Sequence, residues 1–435
     1  MRNVATNLEQ VGGEVTVYVG PRREQVRLFR DADRKGGPTV IFVDHPSYFD
    51  REGIYVEGGA DYPDNPRRFA LFTRAALEAI SSLVKGPVLL HAHDWHASLA
   101  LVYMRSYGDL RERFRGSGAV LSVHNAGYQG YFSPAVIGDL GIPPETFNYH
   151  QLEWYGKVNF LKGGLAFCDY AVTVSPSHAE ELRTSAGGFG LHAMFTSMGD
   201  RFQGITNGID VEKWNPETDT QIAANFSRQE TSNKARCKAA LQQTFGLPQR
   251  TDVPIIGMCG RLVKQKGFDV ILASRAIREL DAQWVFLGQG EERYKSVLRE
   301  FEKARPGHVS AEFVFTDKVE HRLIGGSDLL LMPSEYEPCG LTQMRAQRYG
   351  ALVIGRRVGG ITDTVHDDAT GFLFDEFTAN AFDSAVGRAL QRYYDREAWR
   401  ARMYEAMGRD FAWDSPAARY IQLYRKALAA AHPES

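Results

Sequence analysis

From Pro87 onward, short β-rich runs alternate with stretches of helical spacing, a pattern that few architectures accommodate. Parallel strands need crossover connections, and the crossover helices cover both faces of the sheet, so each strand reads as a short, almost continuous apolar run. Phe69, Phe72, Ala76, Ile80 and Leu83 follow helical spacing, Pro87–His91 reads as strand, Ala97–Met104 as helix and Ala119–Val123 as strand. Asn159–Phe167 then reads as helix and Tyr170–Val174 as strand. Ser175 caps a further helix that has Pro176 at its first position. The turn-rich segments Asn207-Gly208-Ile209-Asp210 and Trp214-Asn215-Pro216 suit a hinge. Beyond them the spacing predicts strands at Pro254–Cys259, Gln283–Leu287, Glu312–Phe315, Asp328–Met332, Leu352–Ile354 and Gly371–Phe374. Helices are expected at Phe268–Leu280, Glu292–Lys303 and from Ala379 on. The expectation is two doubly wound α/β domains, 1–206 and 207–410, with a C-terminal helix in 411–435 crossing back to the first.

Length alone allows two or three domains: 435 residues is about three times the ~150 that serve as a prior for one domain. The formal net charge of −2, from 51 Lys+Arg and 53 Asp+Glu, gives no sign of a nucleic-acid or anionic-membrane partner, so an anionic ligand must be held by a local cluster. No run reaches the ~18 apolar residues of a spanning helix, and Met1 to Gly13 is polar, so the chain reads as cytoplasmic. Cys168, Cys237, Cys259 and Cys339 form no C-x-x-C and read as reduced thiols rather than a zinc ribbon or disulfide framework.

Ligands of open α/β sheets bind outside the carboxyl ends of the strands, and three clusters fall at such ends. After Cys259 comes Gly260-Arg261-Leu262-Val263-Lys264-Gln265-Lys266-Gly267, in which two cations precede a helix start. The natural guest is a diphosphate; the other reading is a solvated basic loop. After Met332 comes Pro333-Ser334-Glu335-Tyr336-Glu337-Pro338-Cys339-Gly340-Leu341-Thr342-Gln343, where a tight turn at Pro338 and Gly340 leads into helix amides joined by the Thr342 hydroxyl. Glu337 is placed to accept bonds from sugar hydroxyls, or else only to cap the helix. Cys339 reads as a small buried side chain rather than a nucleophile. The third cluster is His91-Ala-His93-Asp94-Trp95-His96 with His124-Asn125. Its spacing does not match zinc enzymes, and Asp94 and His124 suit hydrogen bonding to a polar ligand. Asp31-Ala32-Asp33 reads as a surface turn, and Leu287-Gly-Gln-Gly290 and Gly359-Gly360 as turns that approach a nucleotide or merely change direction. Lys162-Gly163-Gly164-Leu165 lies within a helical pattern, so it is not read as a substrate loop. Arg345 and Arg348 are left open between ligand and solvent.

Taken together, these segments resemble the ADP-glucose-dependent glycogen/starch synthase family, retaining glycosyltransferases of the GT-B fold, in which two Rossmann-like domains face an interdomain cleft. The similarity runs from about Phe42 to the C-terminus. It rests on His93-Asp-Trp-His96, Val123-His-Asn125, Tyr128-Gln-Gly130, Asn207-Gly-Ile-Asp210, Arg261 with Lys266-Gly267, and Glu337-Pro-Cys-Gly-Leu-Thr-Gln343 followed by Arg348-Tyr-Gly350. The resemblance implies a glucosyl donor, ADP-glucose, and an acceptor, the end of an α-1,4-glucan such as glycogen, with no metal or other cofactor. The catalytic set it implies is Glu337, Arg261, Lys266 and His124. The substrate-binding set is Asp94, Asn207, Cys339, Gly340, Leu341 and Thr342. Arg261 and Lys266 would neutralise the diphosphate, Thr342 and nearby amides would assist, Glu337 would hold the glucose, and Asp94, His124 and Asn207 would surround it. The alternatives are a GT-B transferase using UDP-glucose or another acceptor, and an inactive chain that only binds glucan or regulates a partner.

Family members begin with a strand followed by Lys-x-Gly-Gly-Leu, and no such segment precedes Glu14. Losing a central strand would forfeit on the order of 6–15 kcal/mol of burial, comparable to the stability of a domain. The expectation is therefore that Met1 is not the native start and that ~50 residues, roughly one strand–loop–helix unit, precede it.

Overall fold

The structure, a computed structural model, describes residues 7–34 and 36–431; Met1, and with it the expectation about the start, lies outside them. The chain divides into two compact units. One comprises the chain up to Thr173, Leu182–Gln203 and the residues from Tyr420 on, and the other Val174–Glu181 and Gly204–Arg419. This division differs in detail from a single break near 206, and local hydrogen bonds explain the excursion at Val174–Glu181. Ser175 Oγ donates to Pro338 O at 2.6 Å, Ser177 Oγ to Asp363 at 2.6 Å, and the Gly359 amide to Glu181 at 2.7 Å, so the segment is fastened to second-unit loops. The helix Asp414–Ala431 begins in the second unit and, from Tyr420, belongs to the first.

In the first unit, the long strand Arg22–Asp31 pairs antiparallel with Leu8–Gln10, Val15–Val19 and Ile41–Asp44. Alternation buries Val17, Val19, Val26 and Leu28 on one face. Ala32 and Asp33 form the turn that follows, closed by the Asp33 amide on the Asp31 carboxylate at 3.1 Å. A second sheet runs in the order Phe202–Gly204, Tyr170–Thr173, Gly118–Val123, Leu89–His93, its last three strands parallel. Helix Phe160–Phe167 packs on helix Asp94–Ser106, and Gly163 and Gly164 permit it. A Cβ at Gly164 would meet Ser98 Oγ at 2.5 Å, and one at Gly163 would meet Leu152 at 2.6 Å. Lys162 is buried, with Nζ donating to the Tyr149 and Glu153 carbonyls. The Lys-Gly-Gly-Leu run in this chain is thus a helix-packing device.

The second unit is a six-stranded parallel sheet in the order Val309–Glu312, Gln283–Leu287, Ile255–Cys259, Leu329–Met332, Leu352–Arg356, Gly371–Phe374. Numbered along the chain this is 3-2-1-4-5-6, the doubly wound dinucleotide-binding order. Ile256, Met258, Trp284, Phe286, Leu329 and Leu331 enter one core, while Ile255, Cys259, Val285, Leu287, Leu330 and Met332 enter the other. Both faces are buried, which is why these strands lack polar alternation.

Two expectations are corrected. The helix expected over Phe268–Leu280 is two pieces, Phe268–Ala273 and Ala276–Glu279. Asp383 accepts from Ser274 Oγ and from the amides of Arg275 (3.0 Å) and Ala276 (3.3 Å), drawing the backbone out of helix. The strand expected at Glu312–Phe315 lies at Val309–Glu312, set by its pairing with Trp284–Leu287, and Val314 and Phe315 pass beyond the sheet, exposed. Among the described residues, no helix is long and apolar enough to cross a membrane.

Candidate active site

Strands Ile255–Cys259 and Leu329–Met332 are neighbours whose crossovers run in opposite directions, so a crevice opens beyond their carboxyl ends. A cavity of about 320 Å³ occupies this place. Lys266, Ser334, Glu337, Gly340, Leu341 and Thr342 lie on its wall, and Arg345 joins them. The sequence clusters after Cys259 and after Met332 therefore form one site, with Thr342 as first residue of the helix Thr342–Arg348.

Lys266 Nζ donates to Glu337 Oε2 at 2.5 Å, and Ser334 Oγ donates to the same oxygen at 2.9 Å. Glu337 is buried. A buried carboxylate needs hydrogen-bond donors and a cation around it, and both are present. Further bonds hold the two loops in register: Gln265 Nε2 donates to Tyr336 O at 2.6 Å and the Glu335 amide to Gln265 O at 2.9 Å. Gly267, at φ +81°, closes the first loop where a Cβ would stand 2.0 Å from Pro333 O. The turn after Glu337 is pinned by Gln343, whose Nε2 donates to Cys339 O (2.8 Å) and Gly340 O (2.9 Å). Gly359 and Gly360 press against the same turn, and the Gly360 amide donates to Glu337 O at 3.0 Å. These two glycines allow backbone to meet backbone under the cavity, and Gly288 and Gly290 do the same beneath Gly260 and Leu262. Ser334 and Gln265 are parts of the site to which the sequence assigned no role, and the Gly359-Gly360 pair, expected as a turn that approaches a nucleotide or merely changes direction, packs against the Glu337 turn.

The other expected residues separate by position. Arg261 is exposed and outside the cavity wall, and its side chain has no hydrogen-bond or ion-pair partner among the described residues. Cys339 is buried, its thiol pushed up to about 12, chiefly by burial, with the Asn207 amide opposing; it is no thiolate nucleophile at neutral pH. Asn207 thus lies beside the Glu337 turn. Arg348 is structural: its Nε donates to Trp214 O at 2.7 Å and Nη2 to Val211 O at 3.3 Å.

In the first unit, Asp94 and His124 meet at the ends of adjacent parallel strands. The His124 amide donates to Asp94 Oδ1 at 2.7 Å, and Asp94 takes φ +55°, a left-handed value uncommon outside glycine. Burial raises the Asp94 pKa, while the His124 ring and the amides of His124 and Asn125 oppose it. His93 Nδ1 lies 2.9 Å from His124 Nε2. His91 has both ring nitrogens engaged, by Tyr424 OH and Ser122 Oγ, each at 2.8 Å. Burial holds His91 to about 3, and His93 and His96 to about 4, so all three are neutral at pH 7. Among the described residues no three His, Cys, Asp or Glu side chains converge as metal ligands. Gly130, at φ +68°, lies flat on Trp95, where a Cβ would stand 2.5 Å from the ring, and buried Gln129 accepts from Asn159 and Tyr131. The Tyr128-Gln-Gly130 motif thereby braces the helix that carries Asp94.

Comparison with known proteins agrees with this geometry. Residues 2–197 match the family described as starch synthase catalytic domain, and residues 242–406 match glycosyl transferases group 1. The glycogen synthase of Anaeromyxobacter sp. (strain Fw109-5) is 41% identical over 431 residues, covering 94% of this chain and 90% of the relative. That of Koribacter versatilis (strain Ellin345) is 38% identical over 432 residues, covering 97% and 89%. The catalytic domain of starch synthase IV from Arabidopsis thaliana, solved bound to ADP and acarbose, superposes with a TM-score of 0.89 at 31% identity, covering 99% of this chain and 90% of that one. With two Rossmann-like units, a site at the switch point of the second, and this similarity along nearly its whole length, the chain belongs to the glycogen/starch synthase family of GT-B glycosyltransferases.

Proposed function

We propose that this glycosyltransferase moves the glucosyl group of ADP-glucose to the 4-hydroxyl at the non-reducing end of an α-1,4-glucan, with retention of configuration. The observation that carries the reading is the shared wall of Lys266, Glu337 and Thr342 in the switch-point cavity. The ADP in the related plant structure and the names of the bacterial relatives support the choice of nucleotide and polymer.

In this reading the departing ADP gathers negative charge as its bond to glucose breaks. Fixed cations and donors aimed at that charge stabilise the transition state more than the ground state. Lys266 has three N–H donors, of which one goes to Glu337, leaving the others for phosphate oxygens. Exposed Arg261 is a second cation, and the Thr342 hydroxyl and the amides of Gly340 and Leu341 add neutral donors. Glu337 Oε2 is taken by Lys266 and Ser334, which leaves Oε1 to accept a hydroxyl of the transferred glucose. Asn207, beside the Glu337 turn, is placed to bond the same sugar. The bond from C1 to the phosphate oxygen breaks, a bond from C1 to the acceptor O4 forms on the same face, and the O4 proton passes to the leaving phosphate oxygen. Lysine, arginine and amides carry the charge, so this route requires no metal.

Incubation of the protein with ADP-glucose and glycogen tests the proposal. ADP release should accompany new α-1,4 linkages, run faster with ADP-glucose than with UDP-glucose, and persist in EDTA. No release from either donor, or a preference for UDP-glucose, overturns it.

A further inference from the structure

The turn that carries Glu337 is held through its carbonyls. Glu337 O accepts from the Gly360 amide at 3.0 Å, and Cys339 O and Gly340 O accept from Gln343 Nε2. The carbonyl between them, that of Pro338, is buried, and among the described residues its donor is the Ser175 hydroxyl, at 2.6 Å and 163 positions away in sequence. Proline has no N–H, so this carbonyl is the one backbone group by which a hydrogen bond can fix Pro338.

Ser175 is fully buried, and its hydroxyl has a second contact, the His178 amide at 3.2 Å, as cap of the helix Pro176–Leu182. An amide N–H only donates and a carbonyl only accepts, so the hydroxyl accepts from His178 and its one hydrogen goes to Pro338 O. Capping accounts for the first bond and leaves the second without a purpose in the helix. The segment has its own support: the Ser177 amide and hydroxyl both donate to Asp363, at 2.9 and 2.6 Å, and the Gly359 amide donates to Glu181 at 2.7 Å. Ser175 is thus held in place whether or not it bonds Pro338. We propose that Ser175 is a positioning residue for the transfer: its hydroxyl fixes the Pro338 carbonyl, and with it the direction in which Glu337, one residue earlier, presents its carboxylate to the transferred glucose. This rests on the reading of Glu337 as the group that holds that glucose. Without the hydroxyl, a buried carbonyl loses its donor and the peptide after Pro338 turns toward another. A displacement of about 1 Å at a positioning group costs up to about a hundredfold in rate.

Steady-state ADP release from ADP-glucose with glycogen, equilibrium binding of ADP and thermal unfolding, on wild type, Ser175→Ala and Ser177→Ala, test it. Ser175→Ala should lower kcat at least about tenfold, while ADP, which lacks the glucose that Glu337 holds, binds within about threefold of wild type. Ser177→Ala removes a hydroxyl bond of the same 2.6 Å length but keeps the amide bond to Asp363, so its kcat should stay within about threefold of wild type. A bond that served folding alone would lower Tm in Ser175→Ala and leave kcat unchanged, and that result overturns the proposal. Equal losses of kcat and ADP binding mark a collapsed cavity and overturn it, as does a kcat loss in Ser177→Ala as large as in Ser175→Ala. If Ser175→Ala does not fold, Ser175→Cys, whose thiol is a weaker donor, decides by the same comparison: lower kcat with unchanged ADP binding supports the contact, and any other pattern removes it. Glu337→Ala separates the two levels. Activity lost in Glu337→Ala but intact in Ser175→Ala removes only this inference, whereas activity intact in both removes the reading of Glu337 itself.

Discussion

Gly360→Ala adds one carbon where backbone already fills the space. A Cβ at this position would stand 2.0 Å from Cys339 O and 2.5 Å from Cys339 Cα and C. Ordinary contact begins at 3.4 Å, so the helix Gly359–Thr364 and the Glu337–Cys339 turn must part by about 1.4 Å, the difference. The opposing atoms are main chain, so no rotamer relieves the clash, and the 3.0 Å bond from the Gly360 amide to Glu337 O lengthens with it. Overpacking of this kind costs about 1–3 kcal/mol. Displacing a positioning group by about 1 Å costs up to about a hundredfold in rate. The expected result is kcat/KM for ADP release down by about 30- to 100-fold, with a Tm lowered by about 2–10 °C. Gly387→Ala is the control: it sits within the helix Ala379–Tyr394 with nothing within 4 Å of its added Cβ, so activity should hold and stability rise by up to about 1 kcal/mol. Wild-type kcat/KM in Gly360→Ala would refute the claim that this glycine sets the position of the Glu337 turn.

Acidification should weaken the first unit. Between the ordinary histidine value near 6.5 and about 4, the unfolded chain binds protons that folded His91, His93 and His96 refuse, so stability falls as pH drops through that window and is unaffected above it. His96 packs among Tyr55, Phe69 and Trp95, and His96→Phe should lessen the loss, read as the difference in Tm between pH 7.5 and pH ~5; an unchanged difference contradicts the assignment. Lys162→Met strips the donor from the Tyr149 and Glu153 carbonyls and should cost about 2–3 kcal/mol in thermal unfolding, with KM for ADP-glucose within about twofold of wild type. A large rise in KM would return this lysine to the substrate. Cys339→Ala should keep activity within about tenfold, and iodoacetamide at pH ~8 should leave Cys339 unmodified in the folded protein. Rapid alkylation that abolishes ADP release would contradict the buried-thiol reading.

The parts of this fold most legible in the sequence are those whose burial is complete. Gln283–Leu287 and Gly371–Phe374 have the expected ends because both faces are covered and, apart from the hydrogen-bonded Gln283, their residues are apolar or glycine. Helix Lys234–Thr244 escaped because its core-facing positions include lysines. Lys234 Nζ donates to Gly325 O and Tyr349 O, and Lys238 Nζ to Asp328 and Val253 O, so a buried stripe looks polar. The break at Ser274 depends on Asp383, more than a hundred residues away, and local periodicity cannot carry that information. At the site, the residue types and their places at strand ends were readable. What was not readable is that Lys266 and Glu337 touch, or that Arg345 pairs with Glu320 over the Trp214 ring while Arg348 bonds the Trp214 and Val211 carbonyls. Those outcomes depend on how two loops from neighbouring strands meet.

The central claim is that Lys266 and Glu337 act as one unit on the donor. ADP release from ADP-glucose with glycogen, measured for Lys266→Ala, Glu337→Ala and the double variant, tests it most directly. Each single variant should lose at least about a hundredfold in kcat/KM, and the double variant should be little worse than either, because removing one partner already disables the 2.5 Å pair. Single variants within about threefold of wild type, or losses that simply multiply in the double variant, would contradict it.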